Sequence, residues 1–477
     1  MIGRKHEIAE LNRLYKSEKA ELVAIYGRRR VGKTYLVNEL FKGRMTFRHA
    51  GLSPVEEQLE SKGLLQNQLK HFYYSLQLHG MKKTHCPDSW LEAFFMLETL
   101  LEKKSDVSRQ LVFLDEMPWL DTPRSGFITA FEGFWNTWAC NHNIMVIVCG
   151  SANSWVLDKL INNHGGLYNR VTYELQLSPF TLAECEELLV SNKVKLSRYD
   201  IAQTYMALGG IPFYLNYFET GKSFAQNMDI LFFAKKAKLK DEFDRLFDSV
   251  FSNPEIIKEI VLFLNTRNAG YTRKEIIEKL SISDGSTLTN ALHALIASDF
   301  VVKYVPFGFS KKEEHFRLVD FFCKFYLKFL GTHQNGDEKF WQNNIQSPVI
   351  STWRGFAYED LCFNHINQIK QALGIKGVAS VQSSWSKKED DEDGIQIDLL
   401  IDRKDNVINM CEIKFYSEDF AVTKDYHKVL VHRQEILSKY IPKKMTIHST
   451  LITTYGLVYN EFSGDFIQVI TLDELFS

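Results

Sequence analysis

A glycine-bounded loop that ends in lysine and threonine carries side chains suited to phosphate chemistry. It follows the apolar run 22–26 and reads Gly27-Arg28-Arg29-Arg30-Val31-Gly32-Lys33-Thr34-Tyr35. The two glycines let backbone N–H groups converge on a phosphate, and a helix beginning at Lys33 adds its positive dipole end. Lys33 would reach the β- and γ-phosphates, and Thr34 would hold Mg²⁺. This order of strand, loop and helix predicts a P-loop that binds ATP or ADP.

Two adjacent carboxylates follow a second apolar strand. The strand is Gln110–Leu114, and Asp115 and Glu116 come directly after it. Asp115 would lie in the outer coordination sphere of Mg²⁺, and Glu116 would polarise the attacking water. Strands often exit into acidic turns without any catalytic role. Because a P-loop precedes this pair, we favour the catalytic interpretation.

Polar side chains also follow a third strand, Ile144–Cys149. Ser151 and Asn153 could contact the γ-phosphate or the water, or they could cap the following helix. Arg170, further along the chain, could act as an arginine finger or remain a surface residue. The sequence leaves both pairs of alternatives open.

Strands must alternate with helices to position these groups. That alternation predicts an α/β domain with a doubly wound parallel sheet and nucleotide at the carboxyl ends of the strands. Helices follow, beginning with the capping-box pattern Thr181-x-x-Glu184. The segment 209–212, Gly-Gly-Ile-Pro, predicts a forced turn in a helical lid.

Three short helices and a hairpin are predicted between residues 253 and 312, in the order of a winged helix. The third helix, 286–295, has no lysine or arginine. The stretch 265–312 holds seven Lys/Arg against four Asp/Glu, a weak footprint for DNA. A DNA-binding role and a packing role therefore stay equally open.

Acidic residues and a lysine recur on predicted strands near the C-terminus. Asp398 lies in the strand 395–402, and Glu412 and Lys414 share one face of the strand 406–415. Glu359 lies on a helix that precedes both strands. Carboxylates that hold Mg²⁺ beside a lysine that orients water suit phosphodiester cleavage. An exposed strand with alternating charge is the alternative.

Composition limits the class of protein. The 477 residues are 45% hydrophobic and 24% charged, enough apolar material for about three domains. The net charge of −2 argues against a uniformly basic nucleic-acid binder. Seven scattered cysteines without a CxxC pair indicate neither disulfides nor zinc. Without a signal-peptide pattern or a long apolar run, we expect a cytoplasmic protein that does not contact membranes.

Residues 1 to about 330 resemble an archaeal-type ATPase of the AAA+/STAND group of P-loop NTPases. The matching segments are 2–8, 26–34, 114–119, 150–151 and 209–212. The resemblance implies that Gly3 and Arg4 pack by the adenine and that Pro212 helps the lid sense nucleotide. It also implies that Arg170 lies near the γ-phosphate, in cis or from a neighbouring subunit of a homo-oligomer.

Residues 350–477 resemble the core of PD-(D/E)xK nucleases, through Glu359, Asp398 and Glu412-x-Lys414. Ile397 stands where that family has a proline before the aspartate. The resemblance implies that Glu359, Asp398 and Glu412 bind a metal ion and that the partner is DNA. Related folds also keep such residues for binding alone, so cleavage stays open.

The resulting architecture has five parts. It comprises a P-loop ATPase core (1–180), a helical lid (181–252), a winged-helix domain (253–330), a linker (331–349) and a restriction-endonuclease-like α/β domain (350–477). We expect a Mg²⁺-ATPase coupled to DNA binding, with metal-dependent DNA cleavage as a further activity. The alternative is a nucleotide-gated signalling or scaffold ATPase with an inert C-terminal domain.

Overall fold

The computed structural model describes residues 1–53, 61–104, 108–162, 164–251, 253–331, 336–389 and 392–477. The chain forms two compact units, each drawn from separate stretches. The first combines Met1–Pro179, Asp244–Lys258 and Gly285–Phe300. The second combines Phe180–Phe243, Glu259–Asp284 and Val301–Ser477.

A five-stranded parallel sheet organises the first unit. Its strands are β1 Glu21–Tyr26, β2 Phe47–Ala50, β3 Gln110–Asp115, β4 Ile144–Cys149 and β5 Tyr173–Gln176. Their spatial order is β2-β3-β4-β1-β5, with every pair parallel. The predicted α/β parallel sheet is therefore confirmed. The strand β4 lies between β1, which leads into the P-loop, and β3, which ends at Asp115.

Helices cover this sheet. They are α1 Lys5–Tyr15, α2 Lys33–Leu40, α3 Ser61–Leu78, α4 Trp90–Glu102, α5 Met117–Leu120, α6 Phe127–Gly133 and α7 Asn153–Val156. A 3₁₀ turn at Ala139–Asn141 and π-helical turns at Phe134–Trp138 and Leu157–Ile161 complete them. Apolar residues at helical spacing on α4 bury Trp90 and Phe94 against Phe72 and Phe127. This aromatic core holds one face of the sheet.

The predicted lid region is helical. It contains α8 Leu182–Ser191, α9 Arg198–Leu208, α10 Pro212–Leu215, α11 Phe224–Met228, a π-helical turn at Asp229–Phe233 and α12 Glu242–Val250. The predicted capping box begins α8, and Gly209 ends α9 in the left-handed region. Gly210 has a φ of 66°, and a Cβ there would lie 2.3 Å from the Phe180 carbonyl oxygen. The forced turn is therefore confirmed.

The next elements come in the order expected of a winged helix. They are α13 Pro254–Leu264, β6 Tyr271–Thr272, α14 Arg273–Leu280, α15 Ser286–Ala297, β7 Val301–Tyr304, a 3₁₀ turn at Lys311–Glu313 and β8 His315–Leu318. The strands form an antiparallel sheet in the order β6-β8-β7. However, α15 belongs to the first compact unit, whereas the three strands belong to the second. A separate winged-helix domain stays a prediction.

A second five-stranded sheet organises the C-terminal part. The elements are α16 Phe321–Phe329, α17 Phe340–Asn344, α18 Pro348–Asn364, α19 Ile366–Ala372, β9 Ser380–Glu389, β10 Glu392–Arg403, β11 Val407–Lys414, α20 Lys424–Tyr440, β12 Thr446–Thr453 and β13 Gln468–Ile470. Two 3₁₀ turns, Ser463–Asp465 and Leu472–Phe476, complete it. The strand order is β13-β12-β11-β10-β9. Antiparallel pairing of β10 with β9 and β11 confirms the predicted hairpin.

The segment predicted as a polar linker, 331–349, is only partly a connection. Residues 332–335 lie outside the described residues. The remainder contains α17, where Trp341 is fully buried against Phe325, Phe329 and Trp353. This polar segment therefore packs into the second unit through one buried aromatic side chain, Trp341.

The longest described helices are α3, with 18 residues, and α18 and α20, with 17 each. All three carry charged or polar side chains along their length. Among the described residues, no helix is both long and apolar enough to cross a membrane.

Candidate functional sites

The P-loop has a backbone that only glycine can adopt at its first residue. Gly27 has a φ of 139°, and a Cβ there would lie 2.3 Å from the Leu177 carbonyl oxygen. Gly32, at the other end, has a φ of 96°, and Arg30 has a φ of 74°. Non-glycine residues in the left-handed region cluster at ligand sites because the surrounding fold must hold them there. The loop therefore has the strained geometry expected of a phosphate cradle.

Lys33 begins α2 and points back into this loop. Its side chain is 5% exposed, and Nζ donates to the carbonyl oxygens of Gly27 (2.8 Å) and Arg28 (3.1 Å). Burial lowers the pKa of Lys33, and the nearby Asp115 and Glu116 carboxylates partly offset that effect. A buried ammonium group is stable only beside acceptors or opposite charge. Phosphate oxygens in the loop would provide both.

Asp115 ends β3 beside Thr34. The Thr34 hydroxyl hydrogen-bonds the Asp115 carboxylate, and burial raises the pKa of Asp115. A hydroxyl and a carboxylate are the oxygen ligands that suit Mg²⁺, so these side chains fit the predicted ion. The Cys149 thiol, at the end of β4, also contacts Asp115. No sequence pattern predicted that Cys149 would contact Asp115.

Glu116 is held by Ser151. The Ser151 Oγ donates to Glu116 Oε1 (2.7 Å), and the Ser151 backbone N–H donates to Oε2 (3.1 Å). Glu116 also has a φ of 43°, which directs its side chain away from the regular path of β3. No side-chain hydrogen bond caps α7, so the capping alternative for Ser151 is not observed. Ser151 instead positions the carboxylate predicted to polarise water.

Asn153 connects the P-loop to a distant segment of the same unit. Its Oδ1 accepts a hydrogen bond from the Gly27 N–H (2.9 Å), and its Nδ2 donates to the Ala297 carbonyl oxygen (3.0 Å). Near that carbonyl, the Arg28 guanidinium lies 5.3 Å from the centre of the Phe300 ring. The sequence marked Asn153 as a sensor or a cap. Neither partner could be read from it.

The remaining predicted nucleotide-binding residues have different settings. Arg4, next to Gly3, is buried and donates to the carbonyl oxygens of Val31 (3.4 Å) and Ser178 (2.6 Å). Arg170 is exposed at the turn before β5, and Tyr35 is exposed on α2. The structure therefore brings Arg4 to the P-loop. The roles predicted for Gly3, Arg4, Arg170 and Tyr35 stay predictions.

Pro212, the predicted lid sensor, occupies the first turn of α10. It belongs to the second compact unit, whereas the P-loop belongs to the first. Its predicted role in sensing nucleotide stays a prediction.

The C-terminal carboxylates lie on neighbouring strands. Leu399 on β10 pairs with Cys411 on β11, which places Asp398 next to Glu412 in the hairpin. The Asp398 carboxylate accepts a hydrogen bond from the Ile413 N–H (3.0 Å). Period-two alternation sends Glu412 and Lys414 to one face, as predicted, and Lys414 Nζ lies 2.6 Å from Glu412 Oε1.

Glu412 is surrounded by donors from two elements. Arg433 Nη1 on α20 lies 2.5 Å from Glu412 Oε2, and the Tyr426 hydroxyl also donates to this carboxylate. Burial raises the pKa of Glu412, but Lys414 and Arg433 outweigh burial, so the pKa is lowered. The sequence suggested Arg433 as a phosphate contact or a solvated residue. The structure instead assigns it to Glu412.

Glu359 on α18 interacts electrostatically with the Asp398 carboxylate. Burial, then the Asp398 and Asp360 carboxylates, raise the pKa of Glu359 to about 8. Burial, followed by Glu412, raises the pKa of Asp398 to about 6. These carboxylates repel one another, and a cation would relieve that repulsion.

A metal site built from three such residues is not assembled here. Across the described ranges, no group of three or more His, Cys, Asp or Glu side chains could hold a metal ion. The oxygens of Glu412 face Lys414, Arg433 and Tyr426 instead. Coordination by Glu359, Asp398 and Glu412 together stays a prediction, and it requires Glu412 to exchange partners.

The free energy of unfolding of the second compact unit, which contains Glu359, is expected to fall as pH rises from about 5 to about 8. Folding raises the pKa of Glu359 from 4.5 to about 8, so the folded chain keeps a proton that the unfolded chain has lost. The favourable effect is therefore complete below pH 4.5 and is lost towards pH 8, with a slope of at most about 1.4 kcal/mol per pH unit. Urea unfolding of Glu359→Gln across this range should show a flatter slope than the wild type. An identical slope would contradict the assignment.

The parallel sheet, the strained loop and the Lys33–Asp115–Glu116 cluster define the class of protein: a P-loop ATPase. Residues 1–218 match the model of an ATPase domain family found predominantly in Archaea. This match supports the predicted binding and hydrolysis of ATP.

Related proteins and solved structures were also found. The chain is 25% identical to an uncharacterized protein of Methanocaldococcus jannaschii over 331 residues, covering 69% of this chain and 68% of that protein. An uncharacterized ATP-binding protein of the same organism is 42% identical over 43 residues, which are 9% of this chain and 73% of that protein. The Walker-type ATPase of Pyrococcus abyssi is 16% identical, with a TM-score of 0.46 over 69% of this chain and 96% of that one. The ORC2 protein of Aeropyrum pernix, solved with ADPNP and ADP, is 15% identical, with a TM-score of 0.39 over 73% of this chain and 95% of that one.

Glu116→Gln is expected to lower ATP hydrolysis at least about 100-fold while ATP still binds. Glutamine keeps the shape that Ser151 holds but cannot polarise water as a carboxylate does. Single-turnover hydrolysis and equilibrium binding of a fluorescent ATP analogue would measure the two effects. Glu132→Gln, a half-buried glutamate on α6, is the matched control. Hydrolysis at the wild-type rate in Glu116→Gln would remove Glu116 from the reaction.

Proposed function

We propose that the chain is a Mg²⁺-dependent ATPase that couples its nucleotide state to DNA binding and to metal-dependent DNA cleavage. The cleavage site would comprise Asp398, Glu412, Lys414 and Glu359. The observation that carries this proposal is the convergence of Asp398, Glu412 and Lys414 on adjacent strands. Glu359 lies close enough for the Asp398 carboxylate to help raise the pKa of Glu359. Carboxylates whose pKa values are raised by burial and by neighbouring carboxylates are often found at functional sites.

In the ATPase domain, each named residue has a separate task. The P-loop N–H groups and Lys33 would bind the phosphates, and Glu116, held by Ser151, would orient the attacking water. Thr34 and Asp115 would hold Mg²⁺, which supplies charge neutralisation between the phosphates. Arg170 is exposed, so a second copy of the chain could supply it as an arginine finger.

In the carboxylate site, Lys414 would orient water and stabilise the charge that develops on the phosphate. Asp398 and Glu359 are the carboxylates with raised pKa, and a bound cation would lower both pKa values because it favours the ionised form of each carboxylate. A Mg²⁺ ion held there would supply Lewis-acid activation of the phosphodiester. Glu412 would need to leave Arg433 to join it.

A route for nucleotide control starts at the P-loop itself. The Gly27 N–H, which would face a bound phosphate, is occupied by Asn153, and Asn153 also holds the Ala297 carbonyl at the end of α15. A bound phosphate would compete with Asn153 for the Gly27 N–H. The hydrogen bond from Asn153 to the Ala297 carbonyl at the end of α15 would then change. Release of α15, the third helix of the predicted winged helix, is how ATP would alter DNA binding.

A second candidate function is a nucleotide-gated signalling or scaffold ATPase. It is favoured by the saturation of Glu412, because a carboxylate bonded to Lys414, Arg433 and Tyr426 needs no metal. In that case the C-terminal cluster would stabilise the fold alone.

Nuclease and binding assays would separate these functions. Purified protein would be incubated with linear, supercoiled and branched DNA, with Mg²⁺ or Mn²⁺, and with ATP, ADP or neither. We expect cleavage that needs the metal and changes with the nucleotide. No cleavage, together with no salt-dependent DNA binding in any nucleotide state, would leave the signalling function.

A further inference from the structure

A cleft opens beside the carboxylate site of the second unit. It has a volume of about 620 Å³ and is lined in part by Glu359 and Lys414. Clefts that hold small ligands or ligand groups commonly measure about 300–1,000 Å³. A group bound in this cleft would therefore lie next to the side chains proposed to act on a phosphodiester.

Two aromatic rings that line this cleft, Tyr199 and Phe415, are stacked, and Tyr199 also stacks with Tyr455 outside the lining. The Tyr199 ring is 4.7 Å from the Phe415 ring at an angle of 18°, and 6.1 Å from the Tyr455 ring at an angle of 17°. Tyr455, next to the cleft, is 48% exposed, and Tyr416, which lines the cleft, is 50% exposed. Parallel rings with an open face at one end are suited to extend the stack by one more planar group.

Two residues that line the cleft each have a buried polar atom without a hydrogen-bond partner among the described residues. Gln203 is 1% exposed, and within the described ranges neither its Oε1 nor the Arg354 Nε has a hydrogen-bond partner. The Gln203 Nε2 donates to Asp200, whose carboxylate also lines the cleft. Buried polar atoms are nearly always paired, so a ligand group or an ordered water is expected to pair with this acceptor and this donor.

The mixture of groups distinguishes between ligand chemistries. A bare phosphate offers only hydrogen-bond acceptors, so the Gln203 Oε1 would find no donor on it. The Asp200 carboxylate would also repel the phosphate. A nucleobase has a flat face for the rings and an edge with both donors and acceptors. In an intact duplex, stacking and pairing occupy that face and that edge, so only an unpaired base could enter.

We propose that this cleft binds an unstacked nucleobase of single-stranded DNA. The inference rests on the proposed nuclease function, which it narrows to substrates with an unpaired segment, such as an end, a flap or a gap. Tyr199 and Tyr455 form the stacking surface, and Gln203 and Arg354 contact the base edge.

Fluorescence anisotropy of the full chain in EDTA would test binding without cleavage. The probes are a labelled single-stranded DNA, its duplex and the RNA of the same sequence, at one fixed salt concentration. We expect single-stranded DNA to bind most tightly, and Tyr455→Ala to weaken that binding about tenfold with little effect on the duplex. The matched control is Tyr459→Ala, because Tyr459 is 96% exposed a few residues away. Arg354→Met tests the base edge and should also weaken single-strand binding.

The results separate this inference from the proposed function. Equal binding of duplex and single strand with no effect of Tyr455→Ala would overturn the base cleft, even if Asp398-dependent cleavage occurred. Tighter binding of RNA than DNA, or no binding of any probe, would overturn it as well. Tyr455-dependent binding of single-stranded DNA without any cleavage would support the cleft and remove the nuclease.

Discussion

Replacing Lys33 by alanine is expected to lower ATP affinity about 100-fold and to abolish hydrolysis. The ammonium group is buried in the P-loop, where Gly27 and Arg28 carbonyls are its only observed hydrogen-bond acceptors among the described residues. A bound nucleotide would present phosphate oxygens at the same place. Charge-assisted hydrogen bonds contribute about 1.5–3 kcal/mol each, so losing them accounts for a loss of this size.

The fold should survive Lys33→Ala because removing a buried charge also removes its desolvation cost. Isothermal titration with ATP and with ADP, together with a thermal unfolding curve, would measure affinity and stability in the same preparation. Lys42→Ala is the matched control, since Lys42 is an exposed lysine just beyond the end of α2. Unchanged ATP affinity in a folded Lys33→Ala variant would refute the assignment of the P-loop.

Asp398→Asn is expected to reduce the proposed DNA cleavage at least about 1,000-fold. Asparagine keeps the shape and an acceptor for the Ile413 N–H, so β10 and β11 should stay paired. It cannot provide the negative charge that a cation requires between Glu359 and Glu412. The loss should therefore appear in the chemical step, while DNA binding stays within about threefold of the wild type.

Gel-based cleavage with Mg²⁺ and with Mn²⁺ would measure this effect and exclude a contaminating nuclease at the same time. Asp402→Asn is the control, because Asp402 lies on the same strand and pairs with Ile408 rather than with the acidic cluster. Equal cleavage by the wild type and Asp398→Asn would show that the activity does not arise at this site. Cleavage lost in both variants would indicate damage to the hairpin.

The two sites place different demands on electrostatics. In the ATPase domain, Lys33 and Asp115 are both buried and lie close together. Burial lowers the pKa of Lys33 and raises the pKa of Asp115, so it favours the neutral form of each side chain. At the C-terminal carboxylate site, Lys414 and Arg433 already neutralise Glu412, while Glu359 and Asp398 keep raised pKa values. Phosphate would complete the first arrangement, whereas a cation would have to rearrange the second.

The sequence determined the features that depend on neighbouring residues. Glycine spacing and an apolar strand were enough to predict the P-loop, because backbone freedom and burial are local properties. Period-two alternation placed Glu412 and Lys414 on one face of β11 for the same reason. The capping box of α8 and the turn at Gly209 and Gly210 were also local, and all of these elements formed as expected.

The tertiary structure alone decided which distant groups meet. Ser151 binds Glu116, Asn153 joins Gly27 to Ala297, and Arg433 reaches Glu412 across separations that carry no periodic signal. The burial of Trp341 in a polar segment and the stacking of Tyr199 on Phe415 have the same origin. The type of a side chain limits what it can bind, but its actual partner is set only when packing brings remote strands and helices together.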